Sequence, residues 1–160
     1  MKAMPTLEGG LRIDAEDASD WELIRAIITD ANQPKIDLAS RLGGLISEEA
    51  GAEDWQEFVV PDLRESFNDE LNQVAAAIES AAYHAKDDAG ALWITPADAF
   101  AWYSALNQAR LALEETFHFG PSETLNPKSL PTPSARSAYL RCKFYSAIQG
   151  LLLEYVMVND

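Results

Sequence analysis

The stretch Thr95–His118 constrains the fold of this chain more than any other. Thr95 suits the cap position of a helix, Pro96 suits the first helical position, and Asp98 completes a pattern like a capping box. Apolar residues then recur every three or four positions, a spacing that places them on one face of a helix. They are Ala99, Trp102, Tyr103, Leu106, Leu113 and Phe117. We therefore predict a central, largely buried helix over this stretch.

Polar residues interrupt the apolar face of this helix. Arg110 falls where an apolar residue is expected, with Asn107 one turn before it and Glu114 one turn after it. An arginine at a core position has to be paired, because an unpaired buried charge is very costly. Glu114 at i+4 is a ready partner, as is a carboxylate from elsewhere in the chain, and Gln149 lies among apolar residues of the last predicted helix.

Two interpretations of these residues stay open. One is a buried polar clamp that joins two helices. The other is a pocket in which Arg110 acts as a forked donor to an anionic group on a partner or a small ligand. We take Asn107, Arg110, Glu114, Gln149 and Trp102 as the candidate binding residues.

Apolar periodicity predicts further helices on both sides of the central one. Asp14 is expected to cap a helix over residues 15–31, with Asp17 as its N3 residue. The segment Glu48–Val60 is expected to form a short helix or turn held by aromatic side chains. The other predicted helices are Ile36–Ser47, Pro61–Lys86 and Ser134–Met157, the last with a buried line of Leu140, Phe144, Ile148, Leu151 and Tyr155.

The remaining segments are predicted to be strands or loops. Met4–Ile13 has the pattern of a short hairpin with Gly9 and Gly10 in its turn, and Ala91–Ile94 is expected to be extended. Residues 119–134 contain four prolines and are predicted to be a loop. The fold prediction is a single domain over residues 1–160. It is an all-α, irregular bundle of four to five helices around the central helix, with a small N-terminal β-hairpin.

Charge and composition exclude several classes of function. A net charge of −14 disfavours direct nucleic-acid binding, whose affinity comes largely from cations that displace counterions. The acid excess is compatible with a basic partner or with mimicry of nucleic acid, although acids at helix starts explain it more simply. No apolar run reaches the roughly 18 residues of a membrane span, and we find no signal peptide. The single cysteine, Cys142, fits a reducing cytosol, so we expect a cytoplasmic protein.

No pattern for catalysis or metal binding is complete. Glu115-x-x-His118 has the spacing of di-iron bundles, but Ala81 stands three residues before His84 where a second motif would need a glutamate. Cys142 lies between two basic residues that can lower a thiol pKa, yet no base is identifiable, and a half-buried structural thiol is the simpler interpretation. We predict no catalytic residues, no metal ligands and no cofactor.

The central and last helices resemble those of a known family. Trp102 and the stretch 105–113, ALNQARLAL, are similar to the W-x-x-x-L-N-x-x-R-L core of a bacterial domain of unknown function, number two thousand and seventeen. Ile148-Gln149 with Leu151–Leu153 resembles its closing helix, and the resemblance spans nearly the whole chain.

The resemblance implies a mostly helical cytosolic protein without established enzyme activity. Members are often encoded near the adaptor of the Clp protease, and a redox-linked regulatory role has been suggested for the family. A switch built on a cysteine pair needs two thiols, and this chain has only Cys142.

The leading functional hypothesis is a non-enzymatic protein-interaction or regulatory module of the bacterial cytosol. It would bind another protein through its acidic N-terminal half or through a groove edged by Arg110 and Gln149. The alternative is a small-molecule-binding protein that uses the same polar residues to hold an anionic ligand.

Overall fold

The computed structural model of the protein describes residues 1–33, 37–44, 54–120, 128 and 130–157. Within this part of the chain, five α-helices accompany one three-stranded antiparallel sheet. The helices are α1 (Ala18–Ala31), α2 (Leu38–Gly44), α3 (Val60–Tyr83), α4 (Ala99–Phe117) and α5 (Pro133–Leu152). The strands are β1 (Lys2–Pro5), β2 (Leu11–Ala15) and β3 (Gly90–Ile94). Helix α4 packs against α1, α3 and α5, so its predicted central position and the mostly helical fold are confirmed.

The sheet extends the predicted N-terminal hairpin. Strand β1 pairs with β2 in a register that joins Lys2 to Asp14, so the hairpin is longer at both ends than predicted. The turn works as expected, with Gly9 at φ 81° in the left-handed region that favours glycine. The segment predicted only to be extended is β3, which pairs antiparallel with β2 along its whole length. The inner face of the sheet buries Leu11, Ile13, Leu92 and Ile94.

Helix α1 begins later than predicted, and a different residue caps it. The side chain of Asp17 accepts hydrogen bonds from the backbone N–H groups of Ser19 and Asp20. Asp14, the predicted cap, lies in β2, where its carboxylate accepts a hydrogen bond from Arg12 Nε at 2.7 Å. The error arose because both aspartates satisfy the local cap pattern, while pairing with β1 and β3 keeps residues 11–15 extended.

Helices α2 and α3 fit most of their predicted ranges. Of the predicted Ile36–Ser47 helix, Leu38–Gly44 is helical, and the ends lie outside the described residues. In the segment Glu48–Val60, a π-helical turn over Trp55–Val59 leads into α3, and the residues before 54 lie outside the described part. Phe58 is 62% exposed there, contrary to the prediction that aromatic side chains hold this segment, whereas Trp55 is half-buried. The buried stripe of α3 is centred on Leu71, Val74 and Ile78, as predicted.

Helix α5 was predicted in the right place, and Ile148 of its predicted buried line is in the core, but the two ends of that line are exposed. A π-helical turn over Leu153–Met157 continues the helix to the predicted end. Leu140, expected in the core, is 61% exposed, and Tyr155 is 38% exposed. The buried side chains of this segment are Ala135, Ala138, Tyr139, Tyr145, Ile148, Gln149, Leu152 and Val156. The prediction followed the spacing of apolar residues, whereas the protein also buries Tyr145 and Gln149, whose polar atoms have partners on other helices.

The proline-containing stretch at 119–134 lies partly outside the described residues, which exclude 121–127 and 129. At its start Phe119 is buried and stacks on Phe117 with ring centroids 5.6 Å apart. At its end Thr132 caps α5 by accepting a hydrogen bond from the backbone N–H of Ala135. Pro133 occupies the first turn of α5, where its missing N–H costs nothing.

Candidate functional site

The predicted polar residues of the central helix lie on a cleft between α4 and α5. Asn107, Arg110 and Glu114 point from α4 into a cleft of about 370 Å³. The opposite wall comes from α5 and the residues that follow α4. The other lining residues are Leu111, Phe119, Gly120, Tyr139, Cys142, Lys143 and Ser146. We call this space the α4–α5 cleft.

Gln149 of α5 forms hydrogen bonds to Arg110 and to the backbone of α4. Its side-chain oxygen accepts a hydrogen bond from Arg110 Nη1 at 2.5 Å, and its Nε2 donates to the backbone carbonyl of Tyr103 at 3.1 Å. Gln149 is only 3% exposed, so it belongs to the packed interior and does not line the cleft. Two side chains therefore tie α4 to α5, as the clamp interpretation predicted.

The clamp leaves part of the Arg110 guanidinium unused. Arg110 Nε is buried and has no hydrogen-bond partner among the described residues. Among the described contacts, Arg110 and Glu114 do not form the ion pair that their i, i+4 spacing favours. Glu114 Oε1 accepts a hydrogen bond from the backbone N–H of Gly120 at 3.1 Å, where the chain leaves α4. A buried N–H donor without an acceptor is costly, so the hydrogen-bonding capacity of Arg110 Nε is unmet in this structure.

Cys142 lines the same cleft but is not an activated thiol. Burial raises the pKa of the Cys142 thiol, and the neighbouring Arg110, which favours the thiolate, offsets only part of this effect. Of the two flanking cations, Arg141 pairs with Asp30 of α1, and Lys143 lowers the thiol pKa less than Arg110 does. The structure thus agrees with the structural interpretation of this cysteine.

Trp102 does not belong with the other predicted site residues. Its side chain is 1% exposed and forms part of the hydrophobic core. The cleft therefore brings together Asn107, Arg110 and Glu114, while Gln149 supports Arg110 from behind and Trp102 packs elsewhere.

The buried carboxylate of Asp30 was not among the residues predicted from the sequence. Asp30 is 4% exposed near the end of α1 and accepts hydrogen bonds from Arg141 and from the hydroxyl of Tyr145 at 2.7 Å. Burial raises the pKa of Tyr145 far above its usual range, and the hydrogen bond to Asp30 adds to this effect. A signal was available, because Asp30 continues the three-residue spacing of Trp21, Ile24 and Ile27.

Metal ligands do not cluster in the part of the chain that the structure describes. No group of three or more His, Cys, Asp or Glu side chains there is placed to hold an ion. Glu115, of the Glu115-x-x-His118 pattern, forms an ion pair with Arg41 of α2 at 2.5 Å. Among the described residues, no helix has the length and apolar character needed to cross a bilayer.

Comparison with known proteins identifies the family of this chain. The family model described as "Domain of unknown function (DUF2017)" matches residues 11–156. This range includes β2, β3, the five described helices and the α4–α5 cleft. No curated protein and no solved structure gives a significant match to the chain.

Proposed function

The chain belongs to the DUF2017 family, and we propose that it is a non-enzymatic interaction module that binds an acidic group of another protein in the α4–α5 cleft. We place this activity in the bacterial cytosol and assign it a regulatory role, with no direct contact to nucleic acid or membrane. The net charge of −14 supports the exclusion of nucleic acid, because the phosphate backbone would be repelled.

The unpartnered Nε of Arg110 is the observation that carries the proposal. Gln149 fixes the guanidinium through Nη1, so the remaining N–H groups are already oriented when a ligand arrives. A carboxylate accepts two parallel hydrogen bonds from a guanidinium, which makes it the group that best matches this donor. Nε itself is closed to solvent, so its unsatisfied N–H is relieved only when a ligand draws the guanidinium toward the cleft.

Charges around the cleft favour an acidic ligand locally, although the whole protein is acidic. Arg110 and Lys143 supply two cations, and the carboxylate of Glu114 is engaged by the backbone of Gly120. A carboxylate that enters would thus meet a local excess of positive charge. Repulsion by the remaining surface would select against strongly anionic partners, so the expected contact is a single acidic residue or chain end.

A small anionic molecule is the second candidate ligand. The cleft volume of about 370 Å³ lies within the range of about 300–1,000 Å³ that is typical of small-molecule sites. The same Arg110 chemistry would serve such a ligand, so the two candidates differ in the partner and not in the site.

The experiment that tests the proposal is a cross-linked pull-down from the cytosol of the protein's own host, with partners quantified by mass spectrometry. Arg110→Met removes the donor, and Arg136→Met is the matched control because Arg136 is exposed on α5 outside the cleft lining. A partner enriched by the wild type and Arg136→Met, but lost from folded Arg110→Met, supports the proposal. Equal capture by all three proteins contradicts it.

Thermal melting with a panel of small acids separates the two candidates. A ligand that binds only the native state raises the melting temperature by mass action. Glutamate, succinate and inorganic phosphate, each tested at millimolar concentration, should raise the melting temperature of the wild type more than that of Arg110→Met if the cleft holds a small anion. No shift together with Arg110-dependent capture assigns the cleft to a protein partner.

A further inference from the structure

The outer edge of β3 exposes unpaired backbone groups, and the register of the sheet shows which ones. Thr6 N–H donates to Gly10 O at 2.8 Å at the end of the hairpin. Because hydrogen-bonded and non-hydrogen-bonded pairs alternate in antiparallel strands, Arg12 and Asp14 direct their backbone groups towards β1. Residues 11, 13 and 15 of β2 then bond to β3. The N–H and C=O groups of Ala91 and Trp93 consequently point away from the sheet.

This open edge is short and has defined ends. At one end, Ala89 uses its N–H and C=O in two hydrogen bonds of 2.9 Å with Lys86. At the other end, the carbonyl of Thr95 accepts from Asp98 N–H. Between them, no hydrogen bond of the described residues engages the outward groups of Ala91 and Trp93. The edge thus offers two donors and two acceptors over three residues.

A groove beside this edge provides room for another strand. It has a volume of about 470 Å³ and lies between β3 and α3. Its lining from α3 consists of Ala77, Ser80 and Ala81, and His84 follows at the C-terminal cap of this helix. Small side chains on α3 allow a neighbouring element to approach closely. Above the edge, the indole of Trp93 is 53% exposed.

The groove also differs in charge from the rest of the surface. The chain has 26 acidic residues, yet none of the described residues that line this groove carries a carboxylate. Two acidic molecules can meet here without placing like charges in contact.

We propose that a second copy of the chain pairs with this edge, β3 against β3 in antiparallel register about a two-fold axis at Leu92. This register makes Ala91 of each copy the hydrogen-bonded partner of Trp93 of the other. All four outward groups of each edge are then satisfied, and two three-stranded sheets become one of six strands. The interface is isologous, as expected for a two-fold dimer.

Side-chain size supports a second copy as the occupant. Ala91 and Trp93 lie on the same, outer face of β3, because side chains alternate along a strand. In the proposed register, the large indole of each copy lies opposite the small Ala91 of the other. Arg12 covers one side of the indole, with its guanidinium 5.0 Å from the ring centroid. The open edge and its side chains are therefore self-complementary. An unrelated strand would match this arrangement only by chance.

Sedimentation equilibrium of the full chain tests the proposal. The wild type should pass from monomer to dimer between about 1 and 100 µM. Trp93→Glu preserves a partner for Arg12 but places a carboxylate in the interface, so it should weaken the dimer at least tenfold. The control Leu140→Glu makes the same kind of change at an exposed apolar residue of α5 and should leave the dimer intact. The proposal is overturned if the wild type stays monomeric at every concentration, or if Trp93→Glu dimerises as strongly as the wild type. A monomeric wild type would mean that the edge pairs with a strand of another protein.

Disulfide trapping tests the register. Ala91→Cys and Trp93→Cys are prepared separately, each with Cys142→Ser. Hydrogen-bonded pairs of antiparallel strands have Cα atoms about 5.5 Å apart, within the reach of a disulfide. Mild oxidation should link the two variants when mixed and should not link either with itself. Self-linking as fast as mixed linking overturns the register, even where the oligomer is a dimer.

Discussion

Arg141 of α5 holds both carboxylate oxygens of Asp30 in α1. Nε and Nη2 of the guanidinium donate at 2.6 and 3.0 Å, across 111 residues of sequence. The Asp30 side chain is 5% exposed and that of Arg141 is 24% exposed, so water screens the pair weakly. Tyr145, one turn further along α5, donates a third hydrogen bond to the same carboxylate. This cluster fixes the first long helix against the last one.

Replacing Asp30 by alanine should destabilise the protein strongly. The change leaves the guanidinium of Arg141 half-buried without a counter-charge, and breaking a buried pair in this way typically costs about 3–5 kcal/mol. Glu79→Ala is the control, because Glu79 forms a similar two-point pair with Arg25 at the surface and should cost less than about 1 kcal/mol. Urea unfolding gives both free energies, and similar losses would show that the Asp30 pair is screened like a surface pair.

Tyr145→Phe should change how stability depends on pH. Burial and the Asp30 carboxylate raise the pKa of Tyr145, so its contribution to stability is complete below the unfolded pKa of about 10 and decreases as pH rises above it. The phenylalanine variant lacks this loss. The difference in unfolding free energy between the two proteins should therefore shrink by about 1.4 kcal/mol per pH unit above pH 10. A constant difference between pH 8 and 11 would rule out the raised pKa.

Arg110 and Gln149 should be coupled energetically. Gln149→Leu deprives Nη1 of Arg110 of its acceptor, and each single change should cost about 1–3 kcal/mol because a buried polar group is left unsatisfied. The double variant Arg110→Met/Gln149→Leu removes both partners and should lose less than the sum of the single changes, by more than about 0.5 kcal/mol. Additive losses in the urea experiment would mean that the two side chains act independently.

Asp17, and not Asp14, should determine the stability of the start of α1. Asp17→Ala removes the acceptor for two backbone N–H groups and should lower the melting temperature by about 2–4 °C. Asp17→Asn retains the cap and should lower it less. The pKa of Asp17 is lowered mainly by the hydrogen bond from Ser19, so the cap weakens as pH falls through this lowered value. Calorimetry at pH 7 checks the order, and a larger effect of Asp14→Ala would contradict it.

Cys142 should react slowly with alkylating reagents. Its raised pKa and half-buried position reduce the accessible thiolate at pH 8, so iodoacetamide should label the folded protein at least tenfold more slowly than the urea-unfolded chain. Arg110→Met removes the cation that partly offsets burial and should slow labelling further. Mass spectrometry of timed samples measures the rates. Faster labelling of the folded protein would identify an activated thiol and reopen the question of chemistry in the cleft.

Periodicity predicted the helices well because it depends on residues close together in the sequence, whereas the predicted Thr95 cap makes no side-chain hydrogen bond to the helix backbone. The stripe Leu71, Val74 and Ile78 and the central helix were found in this way. The same local rules misplaced the α1 cap, since Asp14 and Asp17 are equally suitable until strand pairing is known. They also assigned Leu140 to the core, because the period shows that a helix has a buried face but leaves open which of two adjacent lines faces the neighbouring helix.

The sequence by itself determined the helical class of the protein, its central helix and the need for a partner to Arg110, because these follow from spacing and from the cost of burying a charge. Only the tertiary structure decided which residues become the partners of these side chains and strands. Gln149 and not Glu114 accepts from Arg110, Arg141 reaches Asp30 instead of serving Cys142, and β3 joins the hairpin as a third strand. Each of these contacts joins residues far apart in the chain, so its geometry exists only once the helices and strands have packed.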